Sequence, residues 1–308
     1  MGRYIIRRLL QMVFVLFGTT FLIYWLVWSL PGDPFAGKCG DRPCPPAAIS
    51  QLRAQFNMDD PLWLQYGKYM GNLLTGDFGV TFQQISVAEK ILDVYPVTVR
   101  LAILALLFDV AIGIIAGVLS GLRRNGFLDN IILVSTLFAI SVPIFVTGYV
   151  AQYFLGVRWE IIRPSVSNEA RWSELIVPAL ILASLSTAYV TRLMRSSIAE
   201  NLRADYVRTA TAKGLSRNRV VGVHLLRNSM VPVVTYLGLD LGNFLGGAIV
   251  TEGIFNINGI GGTVFRALLR HDTTMVVPLV VLIVLTYLFM NLLVDVAYAV
   301  LDPRIRYE

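Results

Sequence analysis

Six long apolar runs constrain this sequence more than any other feature. They cover roughly residues 9–30, 97–121, 130–156, 175–194, 231–250 and 275–300. A helix needs about 20 apolar residues to cross the hydrocarbon core of a bilayer, and its backbone groups must be hydrogen-bonded within the segment. We therefore predict an all-α integral membrane protein with six transmembrane helices, forming a single membrane domain over 1–308. Charged residues make up only 15% of the chain, against about 25% in soluble domains.

The distribution of arginine predicts how the spans are oriented. Arg3, Arg7 and Arg8 precede the first run, and a larger basic group lies between runs four and five. Because basic residues are enriched in cytoplasmic loops, we expect both termini in the cytoplasm. An even number of spans also requires the termini to share a side. The net charge of +6 thus indicates orientation in a membrane rather than binding to nucleic acid.

Segment 31–96 is the longest interruption between apolar runs, and we predict that it is extracytoplasmic. Asp60 followed by Pro61 is typical of a helix N-cap and first helical position, and apolar residues recur at helical spacing on both sides of the pair. Two short amphipathic helices are therefore expected. Cys39 and Cys44 also lie here, and the oxidising exterior together with the tight turn favoured by Gly40 and Pro43 predicts a disulfide between them, with two free thiols as the alternative. No histidine accompanies them, so no metal site is predicted.

Residues 195–230 carry the most specific pattern in the chain. The stretch from Asp205 to Lys213 is compatible with a helix, Gly214 is placed to end it, and Ser216 can cap a second helix. The apolar or aromatic positions of the first helix, which suit a groove on another protein, are Tyr206, Val207 and Ala210. The alternative is a basic signal that only fixes orientation and contacts no partner.

This stretch resembles the cytoplasmic loop of ATP-binding-cassette (ABC) importer permeases. The general signature of that loop begins with Glu-Ala-Ala. Here Arg208-Thr209-Ala210 stands in its place, followed by three residues and Gly214, which is similar to the dipeptide and oligopeptide branch. Other stretches similar to that branch are Pro31-Gly32-Asp33-Pro34, Gly76-Asp77-Phe78-Gly79, Ser141-Val142-Pro143-Ile144-Phe145, Glu252-Gly253-Ile254-Phe255 and Leu301-Asp302-Pro303-Arg304. The sequence departs from the branch at Asn258, where the family usually has proline before Gly-Ile-Gly.

The resemblance implies a type I importer permease of the bacterial inner membrane, the first of two homologous permeases that form one pathway for di- or oligopeptides. An external binding protein would deliver the peptide, and two ATPase subunits would drive transport. The residues that the resemblance assigns to ATPase coupling are Asp205, Tyr206, Val207, Arg208, Ala210, Lys213 and Gly214. The chain has no G-x-x-x-x-G-K-[ST] phosphate loop, so ATP and Mg²⁺ are expected on the partners and this chain is expected to bind no cofactor. Members of this kind also import glutathione or nickel.

Polar residues inside the predicted spans are the remaining candidates. A charge at a helix centre costs about 2.5–3.5 kcal/mol on insertion scales, so such residues are functional candidates. In span five, Gly238, Gly242 and Gly246 repeat every four residues and predict a packing seam. Asp240 and Asn243 lie off that seam and are predicted, with Asp109 of span two, to face the pathway. The alternative is that these side chains bond to a neighbouring helix.

Two other classes of function remain to be weighed. A proton-coupled secondary transporter could use Asp109 and Asp240 as ion sites, although no inverted repeat is evident. An intramembrane enzyme is disfavoured because neither H-E-x-x-H nor G-x-S-x-G occurs in the sequence. The sequence therefore favours a transport subunit over an enzyme.

Overall fold

The computed structural model describes residues 2–28, 46–81, 84–270 and 272–301, and the regular elements within these ranges are helices. The predicted all-α class is confirmed. The helices are α1 (Gly2–Trp28), α2 (Pro46–Gln55), α3 (Leu62–Leu74), α4 (Val87–Phe108), α5 (Ile114–Leu122), α6 (Phe127–Ser141), α7 (Ile144–Ala151), α8 (Trp172–Asn201), α9 (Asp205–Ala212), α10 (Arg217–Arg219), α11 (Leu226–Gly247), α12 (Ile249–Ile254), α13 (Ile260–Leu269) and α14 (Thr273–Leu301). Three π-helical turns follow α4, α7 and α10, at Asp109–Gly113, Gln152–Arg158 and Val220–Leu225.

These helices supply the predicted membrane spans. Five are apolar and long enough to cross a bilayer, at Ile6–Trp28, Val87–Leu122, Trp172–Asn201, Arg217–Gly246 and Thr273–Val296. The third predicted span, 130–156, is a pair of helices rather than one, because the chain bends by 98° between α6 and α7. The bend lies at Val142, which is extended (φ −95°, ψ 122°) as expected for a residue before proline. With this bent pair as one span, the count is six.

Proline does not have the same effect in span four. Pro178 lies within span four, and α8 continues through it from Trp172 to Asn201. A proline removes only one backbone donor from a helix, and the flanking hydrogen bonds keep α8 intact. The difference is that Pro143 stands at the start of a helix, whereas Pro178 is buried inside one.

Helix α8 lies at the centre of the bundle. It packs against α4, α5, α6 and α11, while α14 packs against α11 and α1. Small residues permit the closest approaches. A Cβ on Gly117 of α5 would lie 2.5 Å from the Cβ of Met194 in α8, so the two backbones can meet only at glycine.

The predicted glycine seam of span five is confirmed. A Cβ on Gly238 would lie 2.9 Å from Val294 of α14, and Gly242 and Gly246 face the same helix. Asp240 lies off this seam and faces α8 instead. The seam therefore fixes α11 against α14 and leaves the polar side of α11 directed into the bundle.

Two short helices, α2 and α3, lie within segment 31–96, and α4 already begins at Val87. Asp60 was predicted to be the N-cap of α3, but Pro61 occupies that position with an extended backbone. The carboxylate of Asp60 is instead paired with Lys68 at 2.6 Å. Helix α3 packs on α1, where the hydroxyl of Tyr66 donates to the carbonyl of Phe17 at 3.1 Å.

Candidate functional site

The predicted coupling residues lie on α9 and on the turn that follows it. Helix α8 ends at Asn201, and Ala204 is extended (φ −71°, ψ 146°) before α9 begins at Asp205. The polypeptide therefore passes from the central helix to α9 through a link of only three residues. We call this end of the bundle, formed by α9, the last turns of α8 and the connection 122–129, the α9 end.

Helix α9 has one face against the bundle and one face exposed. Val207 and Ala210 are 6% and 5% exposed and pack in a cluster with Ile198 and Leu225 of the same chain. The other predicted coupling residues are exposed, namely Asp205, Tyr206, Arg208, Lys213 and Gly214. Val207 and Ala210 thus hold α9 on its own chain in this structure, and the surface open to a partner consists of the exposed set.

Gly214 ends α9 in the way that the sequence predicts. Its φ is +76°, a left-handed conformation that glycine adopts without a steric penalty. The Gly214 N–H donates to the Thr211 carbonyl at 3.0 Å, and the Leu215 N–H donates to the Ala210 carbonyl at 3.3 Å. This pair of bonds is the Schellman motif of helix C-termini. Ser216 then precedes α10, although its side chain makes no capping hydrogen bond.

A buried ion pair connects the α9 end to the bent span. Asp129 of α6 is completely buried and accepts hydrogen bonds from Arg195 Nε at 2.6 Å and Nη2 at 2.7 Å. Its carboxylate also accepts from the backbone N–H of Asn125 at 2.7 Å and from the hydroxyl of Ser120. A bidentate, fully bonded pair of this kind has a fixed geometry. The connection 122–129 is therefore fixed to the helix that leads into α9.

Deeper in the bundle, the structure brings together Asp109 and Asp240, which the sequence places in different spans. Asp109 begins the π-helical turn after α4 and is 0% exposed, and Asp240 of α11 is 4% exposed. Between them lies Ser186 of α8, whose hydroxyl is 2.7 Å from Asp109 Oδ2 and also within hydrogen-bonding reach of Asp240 Oδ2. We call these three side chains the carboxylate cluster. Ser186 was not identified from the sequence because a serine in an apolar helix carries no distinctive pattern.

Asn243 differs from the two aspartates in exposure. Its amide donates to Asp240 Oδ1 at 3.2 Å, but the residue as a whole is exposed. Of the three residues predicted to line the pathway, Asn243 alone is open on the surface of this chain. Contact of Asp109 or Asp240 with a pathway would require α4, α8 and α11 to move apart, so a pathway role for them stays a prediction.

At the end of the bundle opposite α9, Glu252 of α12 organises the connection between α11 and α14. It is fully buried, and its carboxylate accepts from Thr98 Oγ1 at 2.8 Å and from the Gly262 N–H at 2.7 Å. Thr98 in turn accepts from the Ile260 N–H at 2.8 Å. Burial raises the pKa of Glu252 to about 7. Glu252 belongs to a motif recognised in the sequence, but the motif alone gave no sign that its carboxylate is a structural centre.

Three further residues singled out in the sequence are Asn258, Cys39 and Cys44. Asn258, which replaces the usual proline, accepts a hydrogen bond from Arg266 Nη2 at 3.0 Å and so helps to fix the loop between α12 and α13. Cys39 and Cys44 lie outside the described residues.

Comparison with known proteins indicates the same class of protein, a transport permease, as the sequence motifs do. A family described as "Binding-protein-dependent transport system inner membrane component" matches residues 110–307, and its N-terminal counterpart matches residues 1–102. The dipeptide transport system permease protein DppB of Escherichia coli (strain K12) is 35% identical over 338 aligned positions, covering 100% of both chains. The di/tripeptide transport system permease protein DppB of Pseudomonas aeruginosa (strain UCBPP-PA14) is 34% identical, covering 99% of both chains. The glutathione transport system permease protein GsiC of Shigella flexneri serotype 5b is 35% identical, covering 100% of both chains.

These matches extend over the whole length of the chain and agree with its six apolar spans. They confirm the resemblance to the dipeptide and oligopeptide branch of ABC importer permeases, and they place the chain among multi-pass proteins of the inner membrane. The chain belongs to the family of binding-protein-dependent transport system inner membrane components, as a permease subunit.

Proposed function

We propose that this permease forms half of a translocation pathway for di- or oligopeptides and is driven by ATPase subunits that dock on the exposed face of α9. The observation that carries the proposal is the α9 end itself. A short helix, attached by three residues to the central span and closed by Gly214, presents a basic and aromatic surface away from the bundle. The family of the chain supports this function over that of a self-sufficient secondary transporter.

The exposed face of α9 has the properties of a docking surface. Tyr206 is held by a hydrogen bond from its hydroxyl to Asn201 Oδ1 at 2.6 Å, so an aromatic ring is fixed on the surface. The side chain of Arg208 is 75% exposed, and its nearest acid, Asp205, is 3.9 Å away. Aromatic residues and arginine are enriched at protein interfaces. A partner that docks here would push on α9, and Val207 and Ala210 would transmit the movement to α8.

Partners would supply what this chain lacks. ATP and Mg²⁺ would be bound by two ATPase subunits on the cytoplasmic side of the membrane. The basic residues around α9 predict that this helix lies on the same side. A second, homologous permease would complete the pathway, and an extracytoplasmic binding protein would deliver the substrate. The permease itself would bind no cofactor.

Peptides are the substrate class best supported by the relatives, whose names specify dipeptides, di- and tripeptides, and glutathione. Glutathione is itself a tripeptide, so all three names specify short peptides. Nickel, the other cargo considered from the sequence, is named by none of these relatives.

The docking surface can be tested by co-purification of the ATPase subunits with the permease. The charge reversal Arg208→Glu, combined with Tyr206→Asp, is expected to abolish co-purification and peptide-stimulated ATP hydrolysis. Arg163→Glu is the matched control, because Arg163 is also 75% exposed and paired with an acid but lies before α8, at the opposite end of that helix. Full co-purification by the double variant would show that the ATPases dock elsewhere. Uptake of labelled dipeptide by the reconstituted complex, in competition with glutathione and with Ni²⁺, then identifies the substrate.

A further inference from the structure

The hydrogen-bond donors of the carboxylate cluster are too few for two carboxylate ions. Ser186 has one hydroxyl hydrogen and can donate to Asp109 or to Asp240, but not to both. Asn243 donates to Asp240 Oδ1 and the Thr187 side chain interacts with the Asp109 carboxylate, but Asp109 Oδ1 itself is buried without a hydrogen-bond partner of normal geometry among the described residues. Each ionised carboxylate has about four lone-pair sites to satisfy. The cluster therefore lacks donors, and Asp109 Oδ1 is the oxygen left unsatisfied.

The cluster also lacks compensating positive charge. In the described part of the chain, neither Asp109 nor Asp240 takes part in a salt bridge. Another titratable side chain beside the cluster is Tyr236, which interacts with Ser186 and is in turn packed against Tyr189. Tyrosine supplies no positive charge. Two negative charges in a membrane interior without a cation are strongly unfavourable, so the arrangement is incomplete as it stands.

The surroundings of Asp109 offer space and polarity for such a cation to arrive. Asp109 begins a π-helical turn, and such turns occur frequently at functional sites. Thr187, a close neighbour of the Asp109 carboxylate, also lines a cavity of about 200 Å³. The other hydroxyl-bearing residues of that cavity are Ser135, Thr136, Ser184 and Thr191. This cavity opens to the surface of the chain, and Thr187 is the residue that connects it to the Asp109 carboxylate.

We propose that Asp109, Ser186 and Asp240 bind one monovalent cation, a proton or a sodium ion, that holds α4, α8 and α11 together. Both cations supply the same missing chemistry, a single positive charge shared by carboxylate and hydroxyl oxygens. The bound cation would neutralise one of the two negative charges that meet at Ser186. Loss of the cation would leave two negative charges facing each other and favour separation of the three spans. This site is independent of the peptide and of the docking surface on α9.

The proposal can be tested on the purified complex of the permease with its partner subunits, without peptide. The midpoint of thermal unfolding is measured in one series across pH at constant sodium, and in a second series in which sodium replaces choline at constant pH and ionic strength. A ligand that binds only the folded state raises the midpoint as its concentration rises. We expect the wild-type complex to show this dependence on one cation, and the double variant Asp109→Asn/Asp240→Asn to lose it.

Asp295→Asn is the matched control, because Asp295 is a carboxylate of α14 that is paired with Arg8 at 3.2 Å, and it should retain the dependence. Glu252 contributes its own pH dependence to every variant, so the difference between wild type and double variant is decisive. A difference in the pH series alone identifies a proton, and one in the sodium series identifies sodium. The same dependence in wild type and double variant, or no dependence in either, would overturn the proposal.

A double variant that fails to assemble does not end the test. The single variant Asp109→Asn and the variant Ser186→Ala, which keeps both carboxylates but removes the oxygen between them, are each expected to weaken the dependence. Unchanged dependence in both variants counts against the site. Peptide-stimulated ATP hydrolysis is measured separately, so failure of the cation site and failure of the proposed function give different results.

Discussion

Asp129 and Asp109 are both completely buried carboxylates on membrane spans, but only Asp129 forms a salt bridge within the described residues. Asp129 accepts two hydrogen bonds from Arg195, a third from a backbone N–H and a fourth from Ser120. Asp109 meets a serine and, beyond it, a second aspartate. The comparison indicates that burial alone does not define the role of a carboxylate. The hydrogen bonds and the charge of Asp129 are satisfied within the chain, and this carboxylate fixes local structure. The charge of Asp109 has no such partner, and by our proposal it requires a bound cation.

The largest loss of stability is expected when the Asp129–Arg195 ion pair is broken by removing the arginine. Arg195→Met would leave the Asp129 carboxylate buried without its cation, and breaking a buried ion pair from one side costs about 3–5 kcal/mol. We expect the midpoint of denaturant unfolding of the purified permease to fall accordingly. Asp129→Asn is expected to cost less, because Arg195 is 17% exposed and can reach water. Equal losses from the two variants would contradict the account of Asp129 as the desolvated partner.

Glu252 extends the comparison to a buried carboxylate with hydrogen bonds but no salt bridge among the described residues. Its pKa is raised from 4.5 to about 7, so the folded state holds the proton more tightly than the unfolded state does. The contribution of Glu252 to the free energy of unfolding should therefore be complete below pH 4.5 and should fall by roughly 3 kcal/mol as the pH rises to about 7. Unfolding measured across this range should show the decline in the wild type. In Glu252→Gln the decline should be absent, and its persistence there would assign it to another group.

The sequence predicted the parts of this molecule that depend on local pattern. Span positions, the glycine seam of α11 and the Gly214 terminus of α9 all follow from residues close together in the chain. Contacts between distant residues were not predictable. Asp129 and Arg195 are 66 positions apart, and Asp109 meets Asp240 only because both helices pack on α8 at Ser186. The sequence also predicted that Val207 and Ala210 face a partner, whereas in the structure they pack against this chain. Amphipathic spacing shows that a helix has an apolar side but does not show which protein covers that side.

Gly214 gives a smaller effect that separates folding from coupling at the α9 end. Gly214→Val would place a β-branched residue at φ +76°, which costs about 1–2 kcal/mol. No atom of a neighbouring described residue lies within 4 Å of the added Cβ, so the cost arises from backbone conformation rather than from a clash. We expect the permease to remain inserted but peptide-stimulated ATP hydrolysis to fall several-fold. Gly222→Val, in the nearby π-helical turn Val220–Leu225, is a control, because its surroundings are also open and its φ is not left-handed.

The smallest effect is expected at the carboxylate cluster, and it is the most direct challenge to the comparison. Asp240→Asn removes one of two like charges and leaves a side chain of the same shape that can donate to its neighbours. In choline buffer without sodium, stability should change by less than about 1 kcal/mol at neutral pH, because the substitution breaks no ion pair with a described side chain. The same substitution at Asp129 removes the charge that Arg195 requires and should cost clearly more. If unfolding of the two variants under identical conditions shows equal losses, the Asp240 charge is already compensated within the protein, and the distinction between a satisfied and an unsatisfied carboxylate fails.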